Sequence, residues 1–360
     1  MMISIRHGAR SMGRTAALGV RRLRDHLPGT APGVRRGAPP DTRLAGILRP
    51  GVEFVRDGAI LVHRGWRPSG VTAQFTDDAA TYHQRYFARL AFVPLIDRCL
   101  DVAGIDRDGV ERVLDIGSGS GASVFPLAQL LPHAEVLASD ISPQLLRVLA
   151  GIVASRDELH GRIEALCFDL HEPVFRPNTF DVAVGCAVLH HLLDPRTALA
   201  SVAASLRSSG KIVLVEPLEG GSLVLVSMFA TVLAKLRERG EEDGELGRFM
   251  RAMRLDIQSR LGVPDEKPWT RGLDDKWVFD RPYLMKLAEQ LGFPKVEVHP
   301  IEKDLSRVYE NAFTSLLADA GLSSIPVPDE VRECVRMYDA GIGEGLKREL
   351  CPTGVIVFGR

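Results

Sequence analysis

From about Val113 to the C-terminus, short apolar runs alternate with segments whose apolar residues recur at helical spacing. Arg112–Gly117, Glu135–Asp140, Arg162–Asp169, Phe180–Val188 and Gly210–Pro217 are compact, rich in Val, Ile and Leu, and bounded by turn residues, the pattern of buried strands. Between them lie the helical segments Ser123–Pro132, Ser142–Ala154 and Arg196–Arg207. Ser142 followed by Pro143 reads as a helix start. Strands that are apolar throughout and separated by helices predict a parallel sheet covered on both faces. Lys295–Glu302 and Gly354–Gly359 add a sixth and a seventh strand, and the helix Asp280–Phe293 precedes the sixth. The fold class expected is α/β.

The rest of the chain follows other patterns. Residues 1–50 mix Arg with Gly and Pro without sustained periodicity, apart from a short helical stretch near Ala16–Arg24, and read as a disordered arm. Residues 51–110 read as a helical lid segment that closes at Gly104. The sheet domain comprises 111–217, 280–302 and 352–360. Residues 218–279 and 303–351 are too long for ordinary crossovers and read as helical insertions forming a cap.

Net charge is −1, with 45% hydrophobic and 25% charged residues, so the whole molecule has no general attraction for nucleic acid or anionic membrane. The arm departs from this balance. Its ten arginines against Asp25 and Asp41 leave +8, so the remainder carries −9. An acid-poor, Arg-rich start resembles an organelle transit peptide and could also contact nucleic acid, although no aromatic residue interleaves the arginines. The five cysteines are scattered, with no CxxC pair. They suggest neither a disulfide framework nor a metal site and fit a reducing, cytoplasmic setting. No uninterrupted apolar run reaches the ~18 residues of a membrane span.

The most informative stretch is Val113-Leu-Asp-Ile-Gly117-Ser-Gly119-Ser-Gly121. A strand ending in alternate glycines lets the backbone turn sharply and a ligand lie against it. Asp140 ends the next strand, where a carboxylate accepts from ribose hydroxyls. Gly117, Gly119 and Ala122 also satisfy the looser dinucleotide fingerprint, so NAD stays open on this turn alone. Asp115 argues the other way, since it would repel a pyrophosphate but suits a ligand carrying an ammonium and a sulfonium. Asp169 closes the third strand, placed to accept from an adenine amino group.

"VLDIGSGSG", "ASDISPQLL", "FDL", "FDVAVGCAVLHHLLDP" and "LRSSGKIVLVEP" resemble, in order and spacing, the successive motifs of class I S-adenosylmethionine-dependent methyltransferases. The resemblance implies a Rossmann-like seven-stranded, mainly parallel sheet with helices on both faces, plus the helical cap. It implies S-adenosyl-L-methionine as cofactor, with Gly117, Gly119 and Gly121 along its methionine half and the Cys186 backbone at its ammonium. Asp140 would bind the ribose, Ile141 the adenine face, and Asp169 with Leu170 the adenine edge.

Methyl transfer requires positioning of the acceptor and a destination for its proton. His190 and His191 follow the fourth strand at the carboxyl edge, and Glu216 ends the neighbouring strand. A carboxylate there could orient an imidazole. The pair His190 and Glu216 is similar to the dyad of polyketide-synthase C-methyltransferase domains, with a packing role for His190 as the alternative and His191 the second candidate. Tyr82 and Tyr86 on the lid, and Trp269 and Trp277 in the first insertion, are candidates for contact with the acceptor, or for core. The expected acceptor is oxygen or carbon of a small, partly apolar molecule. The alternatives are a methyltransferase acting on RNA or protein through the arm, and an NAD-dependent oxidoreductase. Helical insertions of this kind often make dimer contacts, so a homodimer is considered beside a monomer.

Overall fold

A computed structural model describes residues 42–67, 79–86, 92–262 and 274–359. The strands of the expected sheet are β3 (Arg112–Ile116), β4 (Glu135–Asp140), β5 (Ile163–Cys167), β6 (Phe180–Cys186), β7 (Leu206–Pro217), β8 (Lys295–Pro300) and β9 (Thr353–Gly359). They run in the order β5-β4-β3-β6-β7-β9-β8, with β9 antiparallel to both of its neighbours. Alternate residues of each strand enter two different cores. Leu114, Leu137, Ala183, Ile212 and Leu214 face one, and Val113, Val136, Val182, Val184 and Val213 the other. Helices α6 (Pro195–Ala203) and α9 (Arg281–Gln290) cover the first face. Helices α3 (Phe92–Val102), α4 (Val124–Leu130) and α5 (Pro143–Ala154) cover the second.

The sheet has nine strands rather than seven. Residues 51–67, expected as part of a helical lid, form the hairpin β1 (Phe54–Asp57) and β2 (Ile60–His63), and β2 extends the sheet by pairing parallel to β5. The two-residue loop Gly58-Ala59 has a positive φ of 63° at Gly58 and none at Ala59, the requirement of a type II′ turn. Residues 42–50, expected as the end of the disordered arm, are instead ordered: the short helix α1 (Thr42–Ile47) buries Leu44 in the core, and Leu48 bridges to Phe175. Helix α2 (Ala79–Tyr86) is the described part of the expected lid beyond the hairpin. The arm up to residue 41, its helical stretch at Ala16–Arg24 included, lies outside the described residues.

The two insertions build a cap with its own core. Leu225, Met228, Phe229 and Val232 of α7 (Glu219–Glu238) pack with Phe249, Met250 and Met253 of α8 (Glu245–Arg260). Phe313 and Leu316 of α10 (Val308–Asp319) and Val331 and Val335 of α11 (Asp329–Gly341) join them. Among the described residues, α7 alone has the length and mean hydropathy (1.4) of a membrane span, and its inner stripe is spent on the cap core. A Cβ on Gly221 would lie 2.2 Å from the Cys351 carbonyl carbon, so α7 docks backbone to backbone beside β9. Gly221→Ala is therefore expected to cost about 3 kcal/mol in urea unfolding. Gly151→Ala in α5, where nothing lies within 4 Å of an added Cβ, is the control and should be neutral or stabilising. Equal behaviour of the two variants would contradict the close approach.

Candidate active site

The carboxyl ends of β3, β4, β5 and β6 open into a cleft of about 970 Å³, counted out to its mouth. Gly117 and Gly119 line it with φ of 68° and 53°, conformations that L side chains adopt rarely. A Cβ on Gly117 would lie 2.4 Å from Val188 Cγ2, so the turn and the loop after β6 meet only because this residue has no side chain. Gly121 does not line the cleft, contrary to expectation. Its added Cβ would strike Leu149 Cδ1 at 2.6 Å and Phe125 Cε2 at 2.8 Å, so this glycine serves the packing of α5 against α4.

Asp140 sits on the cleft wall, its Oδ2 accepting from Gly119 N and its Oδ1 from Ser142 N, each at 2.8 Å. One carboxylate thus ties the glycine turn to the start of α5. Burial raises its pKa, and the backbone N–H groups pull it back. Beyond it, Ile141, Leu145, Phe168 and Leu170 form an apolar stretch. Asp169 also lines the cleft, with its Oδ1 2.6 Å from His171 Nδ1, and that hydrogen bond raises the His171 pKa. Tyr82 lines the cleft from α2, which His83 anchors to the turn through Ser120 Oγ at 2.9 Å. The side chain of Tyr86 and all of Trp269 lie outside the described residues.

Asp115 lies beneath the turn rather than on the cleft wall. It is fully buried and accepts from Ser123 Oγ at 2.8 Å. The missed step is the pleat: the side chain before Ile116 points into the helix layer, not toward the strand's end. Desolvation raises its pKa from 3.8 to about 7. Below about pH 4 folded and unfolded chains both hold this proton. As pH rises toward 7 the unfolded chain releases it and the folded chain keeps it, so stability falls, by on the order of 4 kcal/mol in full. Asp115→Asn should flatten this loss between about pH 4 and about pH 7 in urea midpoints, and an unchanged slope would contradict it.

The loop after β6 hangs on Glu216. Its fully buried carboxylate accepts from the backbone N–H of Val188 (3.0 Å), Leu189 (2.6 Å) and His190 (3.4 Å), and its Oε2 lies 2.5 Å from His190 Nδ1. The structure therefore brings His190 and Glu216 together as a pair, but away from the cleft. His190 is 1% exposed and does not line the cleft, whereas His191 does. This reverses the order expected of the two histidines. A single 3₁₀ turn, Leu189–His191, sends consecutive side chains about 120° apart, and its hub is Glu216. His191 Nδ1 donates to the Asp274 carbonyl at 3.0 Å, and burial, with His190 second, lowers its pKa to about 4.

Trp277 is core rather than cleft wall. It is 1% exposed, and its Nε1 donates to the Leu192 carbonyl at 2.7 Å. Its neighbours Asp274 and Lys276 do line the cleft, and burial lowers the Lys276 pKa. Cys186 and Ala187 complete the wall near the turn. Burial pushes the Cys186 thiol well up, so the thiol stays protonated and only its backbone is polar toward a ligand. Ala187 holds a φ of 55°, a strained conformation for a residue with a Cβ, where β6 hands over to the 3₁₀ turn.

Residues 114–212 match the family model described as methyltransferase domain. The chain carries a methyltransferase domain. This domain holds the glycine turn, Asp140, Asp169 and the two histidines, and ends four residues before Glu216. Among curated relatives, the chain is 34% identical over 164 residues to an uncharacterised Synechococcus protein, covering 45% of this chain and 39% of that one. It is 34% identical over 104 residues to the mitochondrial ubiquinone biosynthesis O-methyltransferase of Schizosaccharomyces pombe (29% of this chain, 37% of that). It is 30% identical over 148 residues to the aklanonic acid methyltransferase DauC of Streptomyces sp. (41% and 64%). The chain thus spans between 37% and 64% of the length of these relatives.

S-adenosylmethionine, the donor of such domains, fits the cleft. The two side-chain-free positions on the turn admit a chain against the backbone, and Asp140 offers a carboxylate on the same wall. The apolar stretch from Ile141 to Leu170 suits an adenine ring.

Proposed function

We propose that this protein transfers a methyl group from S-adenosylmethionine to oxygen or carbon of a small, partly apolar molecule. One observation carries the reading. The cleft that the glycine turn and Asp140 line is also lined by His191, Leu192, Leu193 and Lys276. Those four residues combine apolar side chains with a lysine and an imidazole, a setting for an acceptor that carries an oxygen. The cofactor supplies an electrophilic methyl. The chain binds and orients the acceptor, and the cap excludes water.

The names of two relatives, a ubiquinone biosynthesis O-methyltransferase and an aklanonic acid methyltransferase, support a small-molecule acceptor. The family match favours methyl transfer over hydride transfer to NAD. The test is transfer of a labelled methyl group from S-adenosylmethionine to a panel of phenols, carboxylic acids and 1,3-dicarbonyl compounds. Label in a small-molecule product supports the reading. Label only in RNA or protein added to the same reaction overturns the acceptor class. His191→Ala is expected to keep affinity for S-adenosylhomocysteine within about threefold and lower turnover at least tenfold. Unchanged turnover would remove His191 from contact with the acceptor.

A further inference from the structure

The hairpin that precedes the methyltransferase domain reaches the loops of the cofactor cleft. β2 pairs parallel to β5 with Val62 opposite Cys167, so the residues that follow β2 emerge at the same carboxyl edge as the loop after β5. The chain turns tightly there, with Trp66 N donating to the His63 carbonyl at 2.9 Å. Neither His63 nor Trp66 lines the cleft. Each contacts a loop that does.

Trp66 is half-buried and packs against the core on the α5 side of the sheet, and its Nε1 donates to the Ile141 carbonyl at 3.1 Å. An indole N–H can only donate, and amid apolar side chains it must find an acceptor or lose a hydrogen bond. Its acceptor here belongs to the peptide between Ile141 and Ser142. The N–H of that same peptide donates to Asp140 Oδ1 at 2.8 Å. One peptide is thus held on both sides, by Trp66 at its carbonyl and by Asp140 at its N–H. Cys167 Sγ adds a weak contact to the carbonyl at 3.6 Å. Asp140 and Ile141 both line the cleft, so the indole sets the plane of the backbone from which they project.

The loop after β5 is braced as well. His63 Nδ1 lies 2.8 Å from Glu172 Oε2. Glu172 N in turn donates to the Asp169 carbonyl at 2.9 Å and closes the turn that carries Asp169, Leu170 and His171. Phe168, another lining residue, meets Phe54 of β1 edge-on with 6.2 Å between ring centroids. Both sides of the apolar stretch from Ile141 to Leu170 are therefore supported by the hairpin.

We infer, on the cofactor reading above, that Trp66 and His63 are positioning residues for the adenosine half of S-adenosylmethionine. Trp66 acts through Ile141 and Asp140, and His63 acts through Glu172. The hairpin lies outside residues 114–212, the matched domain, so this chain adds a brace of its own to the shared cofactor-binding strands. Pairing of β2 with β5 and apolar packing already dock the hairpin. The indole N–H bond does something further, because it ends on a residue of the cleft wall.

The experiment is calorimetric titration of the full chain with S-adenosylhomocysteine and with 5′-methylthioadenosine, which shares the adenosine half and lacks the amino-acid end. Trp66→Phe removes the donor and keeps an aromatic ring. It is expected to weaken both ligands by the same factor, about fivefold, the worth of one neutral hydrogen bond. Glu172→Ala, at a half-exposed side chain, should weaken both about twofold. That variant decides the matter where Trp66→Phe is too unstable to measure. Gly221→Ala, which loosens the cap, should lower Tm and leave both affinities unchanged, and so separates stability from positioning. Unchanged affinities in Trp66→Phe and Glu172→Ala, or a loss confined to S-adenosylhomocysteine, would overturn the inference. A wild-type chain that binds neither ligand would overturn the cofactor reading itself, and this assignment with it.

Discussion

Asp140→Ala is expected to abolish S-adenosylhomocysteine binding, a loss of at least 100-fold. The carboxylate does two jobs. On the proposed reading it accepts from the ribose hydroxyls, and it holds Gly119 N and Ser142 N at 2.8 Å each. Alanine removes the ligand's acceptor and strands two backbone donors at the mouth of the cleft. Each charge-assisted bond is worth about 1.5–3 kcal/mol, and two of them on the ligand reach that factor. Asp140→Asn keeps an acceptor oxygen but loses the charge and one backbone bond, and should fall between. Calorimetric titration of the three proteins checks this. Full-strength binding by Asp140→Ala would remove Asp140 from the cofactor site.

Glu216→Ala should destabilise the fold by roughly 3–5 kcal/mol, more than any other single truncation around the cleft. One carboxylate organises three backbone N–H groups and the His190 ring, all of them buried. Without it, the 3₁₀ turn loses its hub, and Val188, which closes over Gly117, loses its support. Glu216→Gln retains a carbonyl oxygen for Val188 and Leu189 and forces His190 to accept instead of donate, so a smaller loss is expected. Urea unfolding followed by near-ultraviolet circular dichroism reads both. A Glu216→Ala protein within about 1 kcal/mol of wild type would show that the loop after β6 holds itself.

The local parts of the site were legible in the sequence. Gly117, Gly119, Asp140, Ile141, Asp169 and Leu170 lie within strand-end motifs, where type and spacing follow from the backbone. Residues that the tertiary structure recruits were not. Asp274, Asp275 and Lys276 come from the first insertion, more than 80 residues beyond His191, in a segment without periodicity. The choice between His190 and His191 depends on how a single 3₁₀ turn is rotated, and no pattern in "AVLHHLLD" records that. Trp277 looked like a pocket aromatic because its hydrogen bond to Leu192 spans 85 residues. The hairpin β1–β2 was missed because each strand has four residues and half-exposed positions, too short for a convincing alternation. Asp57-Gly58 was the available signal.

The central claim is the identity of the cofactor, and calorimetric titration of the full chain with S-adenosylhomocysteine, with NAD in parallel, tests it most directly. The account predicts one site per chain with a Kd on the order of micromolar for S-adenosylhomocysteine and no heat from NAD. Binding of NAD alone would contradict the reading of the glycine turn, Asp140 and the cleft together.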